Sequence, residues 1–402
     1  MIQNFVRLKK YCESEQFMGW DPFDGLNSKV LQTLLPLKRS AVLRLFVIQG
    51  FKRCPWNLRP WLGVRKDYNA KGIGLFLQGY CNLVKLVGKK PELEGDLGTK
   101  EELLGKVHEL ADMLINLRSK GYHGSCWGYN FDWQSRRLFL FPAYCPTVVA
   151  TNFCATALMD AYEVTGQKEY LDVALDSANF ILNDLHLDEY EGEKMISYSP
   201  LHGNDLVSNA SLLGSKVLAY CYKYTGKEQY LTVARSSVRA CCKGQRADGA
   251  WTYSQVPPKL WVDSFHTGYN LDGLIAYEEQ TGDMDYHENI ERGFDYYIKN
   301  FFNADGSPKY YDNQQYPIDI HCPGQLLVTL HRLHKYEEYK ELAEKVIAWT
   351  VQNMQDKKGY FYYQLKQGIS SKIPYMRWSN AFMFDAMSYY LMDKNNVEVG
   401  II

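Results

Sequence analysis

The sequence predicts an all-α protein, an (α/α)6 toroid in which helical hairpins close into a ring. Three observations predict it. A Thr-Gly pair recurs at residues 165, 225 and 281, in steps of 60 and 56. Residue types that start helices recur near Thr151-Asn152, Ser208-Asn209, Ser264, Asp319 and Ser379-Asn380, at intervals of 57, 56, 55 and 60. Between them run longer loops with a turn and aromatics: Asp248-Gly249-Ala250-Trp251, Asp305-Gly306 before Tyr310-Tyr311, and Lys358-Gly359-Tyr360. A fixed period of this kind marks a repeat architecture, in which each unit buries its apolar face against its neighbours.

Each unit has the same anatomy. A first helix, such as Asn152–Tyr162, sets Ala155, Leu158, Met159 and Tyr162 on one face. Thr-Gly ends it, because glycine accepts the left-handed conformation of a helix C-cap. A second helix, such as Tyr170–Leu182, is amphipathic, with apolar residues at 171, 174, 178 and 181. The loop that follows turns at Asp-Gly and is expected to hold short β-like turns. A fainter copy, His334-Lys335-Tyr336-Glu337-Glu338-Tyr339, lacks Thr-Gly. An earlier hairpin fits Gly74–Val87 and Glu101–Ser119. A lone helix near Lys29–Gly50 opens the chain and another, Ser379–Leu391, closes it. Pairing these two completes a ring of about six hairpins. The expectation is one domain over 1–402, with 1–27 as an N-terminal extension and about 28–395 as the ring. The first helices, richer in Ala, Gly and Ser, form the inner layer. The second helices, carrying Lys and Glu, form the outer layer.

Composition narrows the function classes. Charged residues make up 23 % and the formal net charge is −1, so the total shows no footprint for nucleic acid or an anionic membrane. Residues Met1 to Lys10 lack the continuous apolar core of an export signal. No run reaches the roughly 18 apolar residues of a membrane span. The ten cysteines are scattered without zinc spacing. Reduced thiols in a cytoplasmic protein, with no metal and no cofactor, are the expectation. The 31 tyrosines suit packing between helices, and equally suit stacking on sugar rings with hydrogen bonds at the edge.

The ring geometry then selects candidate residues. The Thr-Gly turns lie on one face. The long loops and the inner-helix N-termini lie on the other, where function concentrates. Onto that face the sequence projects Trp127, Tyr129, Asp132, Trp133, Gln134 and Arg136 from one loop, and Tyr198 and Asn209 from the next unit. Trp261, Asp263, His266 and Tyr269 follow, then Asp319 and His321, and finally Arg377 and Trp378. Two Asp-His pairs in matching places of successive repeats are the sharpest feature. Glycosidic hydrolysis needs two carboxyl groups across the bond, which Asp132, Asp263 and Asp319 could supply. An epimerase or lyase needs a base and an acid beside a sugar carbon, with Arg against a uronate carboxylate. His266, His321, Arg136 and Arg377 could supply those.

On these segments the chain resembles the six-hairpin glycosidase-like superfamily, which holds glycoside hydrolases, unsaturated glucuronyl hydrolases, uronate-polysaccharide lyases and N-acylglucosamine 2-epimerases. The resemblance is architectural and covers most of residues 70–395. More narrowly, Trp127-Gly128-Tyr129, Phe131 to Arg136, Phe265 to Asp272 and Tyr316 to His321 resemble a bacterial family linked to capsule and exopolysaccharide gene clusters. Gln245 to Trp251 is similar to the Gln-Trp motif of triterpene cyclases, but their Asp-rich acid motif is absent. That segment is expected to tie an outer helix to the next loop. The resemblance implies a carbohydrate-active enzyme of surface-polysaccharide metabolism, with an oligo- or polysaccharide substrate. A glycoside hydrolase using two aspartates comes first, and an epimerase or uronate lyase second. A ring that binds a glycan or a protein without chemistry is the remaining alternative.

Overall fold

The computed structural model describes residues 1–134, 140–257 and 259–397. Six helices form its inner layer: α4 (Ala70–Lys89), α7 (Val148–Thr165), α9 (Ser208–Thr225), α11 (Ser264–Thr281), α13 (His321–Arg332) and α15 (Phe382–Lys394). Each packs on the next, and α15 packs back on α4, so the ring closes. Their side chains are buried nearly all round, because each inner helix meets neighbours on both sides and an outer helix behind it.

The outer layer is α6 (Lys100–Asn116), α8 (Lys168–Asn183), α10 (Glu228–Lys243), α12 (His287–Phe301) and α14 (Lys340–Met354). A one-turn helix, α5 (Glu94–Leu97), precedes α6. The outer helices bury one stripe each, as in α10, where Tyr230, Leu231, Ala234, Val238 and Cys241 face inward. Thr-Gly works alike in three units. Gly166, Gly226 and Gly282 are left-handed, at φ of 72°, 66° and 73°, and close α7, α9 and α11. The preceding threonine hydroxyl donates back to the carbonyl of Ala161, Cys221 or Tyr277. It also accepts the amide of the residue after glycine. In the unit without Thr-Gly, His334 takes the left-handed turn at φ 54°.

The helix that completes the ring is α1 (Ile2–Ser14), which the sequence expectation placed in an extension. Phe5 packs on Phe384 of α15 with ring centroids 5.0 Å apart, and Phe5, Leu8 and Cys12 are fully buried. The turn glycines carry the same relationship round the ring. A Cβ on Gly249 would collide with the Arg292 carbonyl of α12, and one on Gly306 with the Lys345 carbonyl of α14. One on Gly359 would collide with the Arg7 carbonyl of α1. Gln245 donates to the carbonyls of Gly249 and Asn289, and Gln355 donates to those of Gly359 and Asn4. α1 therefore stands where the sixth outer helix belongs. Gln245 also joins the end of α10 to α12, the tying role expected for its motif.

The segment expected to pair with the last helix does something else. It forms α2 (Lys29–Leu34) and α3 (Ala41–Arg53), a cap with its own small core of Leu26, Leu37 and Ile48. Trp133 and Leu140 from the functional-face loop pack against that core. Strand pairs fold two long loops into hairpins, β1 (Trp133–Gln134) with β2 (Leu140–Phe141) and β3 (Leu187–Tyr190) with β4 (Glu193–Ile196), and β5 (Ile318–Asp319) pairs with β6 (Gln364–Leu365) to join the loops before α13 and after α14.

Candidate active site

At the long-loop face the inner helices begin, and their caps decide the geometry. Asp263 precedes α11 and accepts the amide of His266 at 3.1 Å through Oδ1. Its Oδ2 lies 2.7 Å from His266 Nδ1 and accepts Trp261 Nε1 at 3.0 Å. The carboxylate is fully buried, whereas the His266 side chain is 20 % exposed. Giving Nδ1–H to Asp263 fixes the tautomer and leaves Nε2 as the basic nitrogen. Among the described residues Nε2 has no hydrogen-bond partner. Trp261 stacks on Tyr253 at 4.7 Å and 14°, and Tyr253 meets the His266 ring edge-on at 4.8 Å. An aromatic platform thus stands beside an oriented imidazole.

The second Asp-His pair, two residues apart instead of three, occupies the matching place in the next repeat but has a different fate. Asp319 Oδ1 accepts the His321 amide at 3.0 Å and Trp378 Nε1 at 2.9 Å. Its Oδ2 accepts Gln364 Nε2 at 2.5 Å. His321 is pressed between Phe382 at 4.0 Å and Trp378 at 4.4 Å. Burial lowers its pKa to about 4, against the pull of Asp319, so the ring is neutral at ordinary pH. His321 Nδ1 lies 3.6 Å from Asp319, too far for a hydrogen bond. This pair is a buried support, with Phe265 packed on both histidines at 4.1 and 5.1 Å.

Near His266, across Tyr269, lies a basic residue that sequence reasoning missed. Lys71, in the first turn of α4, reaches the Tyr269 hydroxyl at 3.2 Å and sits over the Phe153 ring at 4.1 Å. Burial, and then the Arg377 charge, hold its ammonium well below the usual lysine range. Burial keeps the Tyr269 phenol well above its ordinary range, so it stays protonated. Tyr129 and Tyr198 share a hydrogen bond in the same cluster. Arg377 lies 4.9 Å over the Tyr129 ring.

Arg377 is already paired. Residues Gly19 to Ser28 cross the mouth of the ring: Trp20 bridges to Tyr375, and Asn27 donates to the Asn130 carbonyl. Within that crossing, Asp21 takes Arg377 at 2.6 and 2.9 Å, with both groups buried. Asp24 pairs with Arg59 at 2.7 Å, and burial still raises its carboxyl to about 6. A small pocket lies between this crossing and α4, lined by Asp21, Asn69, Asn130 and Arg377 among others.

The structure therefore brings together Trp261, Asp263, His266, Tyr269, Tyr129 and Tyr198 at one mouth, with Asp319, His321, Trp378 and Arg377 behind them. It does not bring in the rest. Trp127 is fully buried and donates to the Leu114 carbonyl, which makes it a core residue. Trp133 stacks on Phe141 at 5.0 Å beneath the cap, and Gln134 accepts Arg44 from that cap. Asp132 spends Oδ1 on the Ala143 amide at the base of its hairpin. Asn209 is buried in the first turn of α9. Arg136 lies outside the described residues.

Comparison with known proteins places this architecture. Residues 264–397 match Glycosyl Hydrolase Family 88, a third of the chain. No curated protein matches the sequence. Among solved structures, an unsaturated glucuronyl hydrolase specific for heparin superposes with a TM-score of 0.61 at 14 % identity, over 98 % of this chain and 96 % of its own. The GH76 α-mannanase of Bacteroides thetaiotaomicron superposes at 0.60, with 15 % identity over 81 % and 88 %. Cellobiose 2-epimerase from Bacillus thermoamylovorans superposes at 0.60, with 14 % identity over 82 % and 90 %. The chain has the six-hairpin glycosidase-like fold. Hydrolases and an epimerase share this toroid, so the reaction must be read from the site.

Proposed function

We propose that this six-hairpin toroid is a carbohydrate-active enzyme whose acid–base residue is His266. The observation that carries this reading is the Asp263–His266 pair, in which a buried carboxylate orients a partly exposed imidazole whose other nitrogen has no hydrogen-bond partner among the described residues. The Trp261–Tyr253 stack offers a sugar ring a flat apolar surface beside that nitrogen. The Tyr269 phenol, bonded to Lys71, supplies a proton donor one helical turn along, its ring 6.0 Å from that of His266. A base and an acid side by side at a sugar carbon suit epimerisation or β-elimination, where a C–H proton leaves first.

Two-carboxylate hydrolysis has weaker support. Asp263 and Asp319 are fully buried, and each has both oxygens engaged within the protein. Neither is placed to protonate a glycosidic oxygen. Asp132, half-exposed with one oxygen engaged, is the remaining carboxyl for that chemistry. The matched hydrolase family keeps this reading as the second one. The resemblance to a capsule-cluster family supports a substrate from surface-glycan metabolism. The ten free cysteines support a reducing compartment.

The test is turnover of neutral and uronate-containing oligosaccharides in D2O, followed by NMR. Deuterium at one sugar carbon of an epimer, or a carbon–carbon double bond formed at cleavage, supports the reading. Saturated cleaved sugars carrying no carbon-bound deuterium overturn it.

A further inference from the structure

The whole-chain charge conceals a local imbalance. Residues 25–66 hold nine Lys and Arg and no Asp or Glu, in a chain with 45 basic and 46 acidic residues overall. This stretch is the cap formed by α2 and α3 with the loop that follows. Lys29, Arg39, Arg53 and Arg65 are exposed on it.

The same stretch carries large apolar side chains turned away from the protein. Leu34, Phe46 and Trp56 are each 71 % exposed, and Trp61 is 84 % exposed. On α3, Val42, Phe46 and Arg53 are spaced four and seven apart, which sets them on one outward stripe. The inward side of that helix buries Ile48 and Phe51. On α2, Val30 and Leu34 repeat the i, i+4 pattern outward. The Trp61 loop lies beside them, because Ser28 donates to the Leu62 carbonyl and Gly63 abuts Lys29 and Val30. Exposed aromatic and aliphatic side chains fringed by cations, on a stretch that itself holds no acid, match the chemistry of an interface between water and anionic lipid. Isolated exposed leucines need no explanation, but a cluster of this size on one short cap does.

We propose that the cap docks the toroid onto an anionic lipid surface, with Phe46, Trp56, Trp61 and Leu34 entering the headgroup layer and Lys29, Arg39 and Arg53 against the lipid charge. The cap covers the mouth side of the ring, packing on the loop that holds Trp133 and Gln134. Docking would therefore set the site facing or flanking the membrane. The proposal is independent of which reaction the site performs.

The experiment is flotation of the full chain with vesicles of phosphatidylcholine alone and with about one third phosphatidylglycerol. The chain is expected to float with the anionic vesicles, to stay behind with the neutral ones, and to be released by salt near 1 M, where the screening length falls to roughly 3 Å. The Trp56→Ser/Trp61→Ser and Phe46→Ser variants are expected to lose about tenfold in vesicle affinity. So is Arg39→Glu/Arg53→Glu, which changes charge and leaves the apolar residues. Unfolding midpoints equal to wild type confirm that these surface variants fold. Equal binding to both vesicle types, no binding, or binding untouched by both classes of variant overturns the proposal. So does a dimer in solution that the same variants dissociate, which would assign the face to a second copy of the chain.

Discussion

Asp21 clasps Arg377 with both carboxylate oxygens, at 2.6 Å to Nε and 2.9 Å to Nη2, and neither side chain reaches solvent. The contact joins residues 356 apart in sequence and staples the N-terminal crossing to the turn that leads into the last inner helix. It also removes Arg377 as a free anchor for a substrate carboxylate, the role expected of it from sequence. Removing one partner of a buried pair strands the other charge, which costs about 3–5 kcal/mol. Asp21→Ala is expected to lose that much stability in denaturant unfolding, and Asp21→Asn less. Equal unfolding of wild type and Asp21→Ala would show the pair to be dispensable.

Ring closure by α1 makes its own prediction. Gly359 has φ 104° and abuts the Arg7 carbonyl, whereas Gly368, at φ 95°, has open space where a Cβ would sit. Both alanine substitutions strain the backbone, at a cost of about 1–3 kcal/mol each. Only Gly359→Ala also pushes α1 off the ring. Its unfolding free energy should fall clearly below that of Gly368→Ala. Equal losses would mean that α1 is not held at Gly359.

His321 predicts a pH dependence. Its folded pKa of about 4 lies below the unfolded value of 6.5, so between those values the unfolded chain binds the extra proton. This group's contribution is therefore complete above pH 6.5 and declines as pH falls toward 4, by about 3 kcal/mol in all. His321→Gln cannot take up that proton. The stability gap between wild type and His321→Gln should narrow on acidification across that window. A gap constant from pH 7 to 4 would contradict the neutral, buried histidine. Asp24 acts in the opposite sense, because its raised carboxyl, at about 6, favours the folded state as pH falls below that value. The wild-type curve alone is thus a poor readout, and the paired comparison is needed.

Lys71 separates catalysis from stability. Among the described residues its buried amine meets the Tyr269 hydroxyl and the faces of the Phe153 and Tyr269 rings. Lys71→Met keeps the length and removes a charge that burial disfavours, so stability should hold or rise. Turnover should fall by about 10²-fold or more if the amine helps Tyr269 deliver its proton. Unchanged kcat with unchanged stability would make Lys71 a bystander.

Much of the ring was legible because its signals are local. Thr165-Gly166, Thr225-Gly226 and Thr281-Gly282 each stop a helix by chemistry within a few residues, and the period follows from them. The closure was not legible in the same way. α1 carries no Thr-Gly, and its register depends on Gly359 and Gln355 from the far end of the chain. Phe5, Leu8 and Cys12 at helical spacing were a usable signal, overlooked when those residues were read only for an export signal. The site divides similarly. The repeat found both Asp-His pairs, since capping and orientation are local. It could not tell them apart, because Phe382 and Trp378 decide that His321 is sealed while His266 stays open. Lys71 was missed because the first inner helix was started at Gly74, three residues too late to include it. The cap was missed because one net charge was taken over the whole chain.

The most direct test of the account is proton loss at the reacting sugar carbon, read as deuterium exchange or as an unsaturated product, measured for wild type, His266→Gln and Asp132→Asn on the same oligosaccharide. The account predicts that His266→Gln loses about 10²–10⁴-fold in proton loss while Asp132→Asn keeps it. Proton loss that survives His266→Gln, or turnover abolished only by Asp132→Asn, would contradict a histidine-centred site.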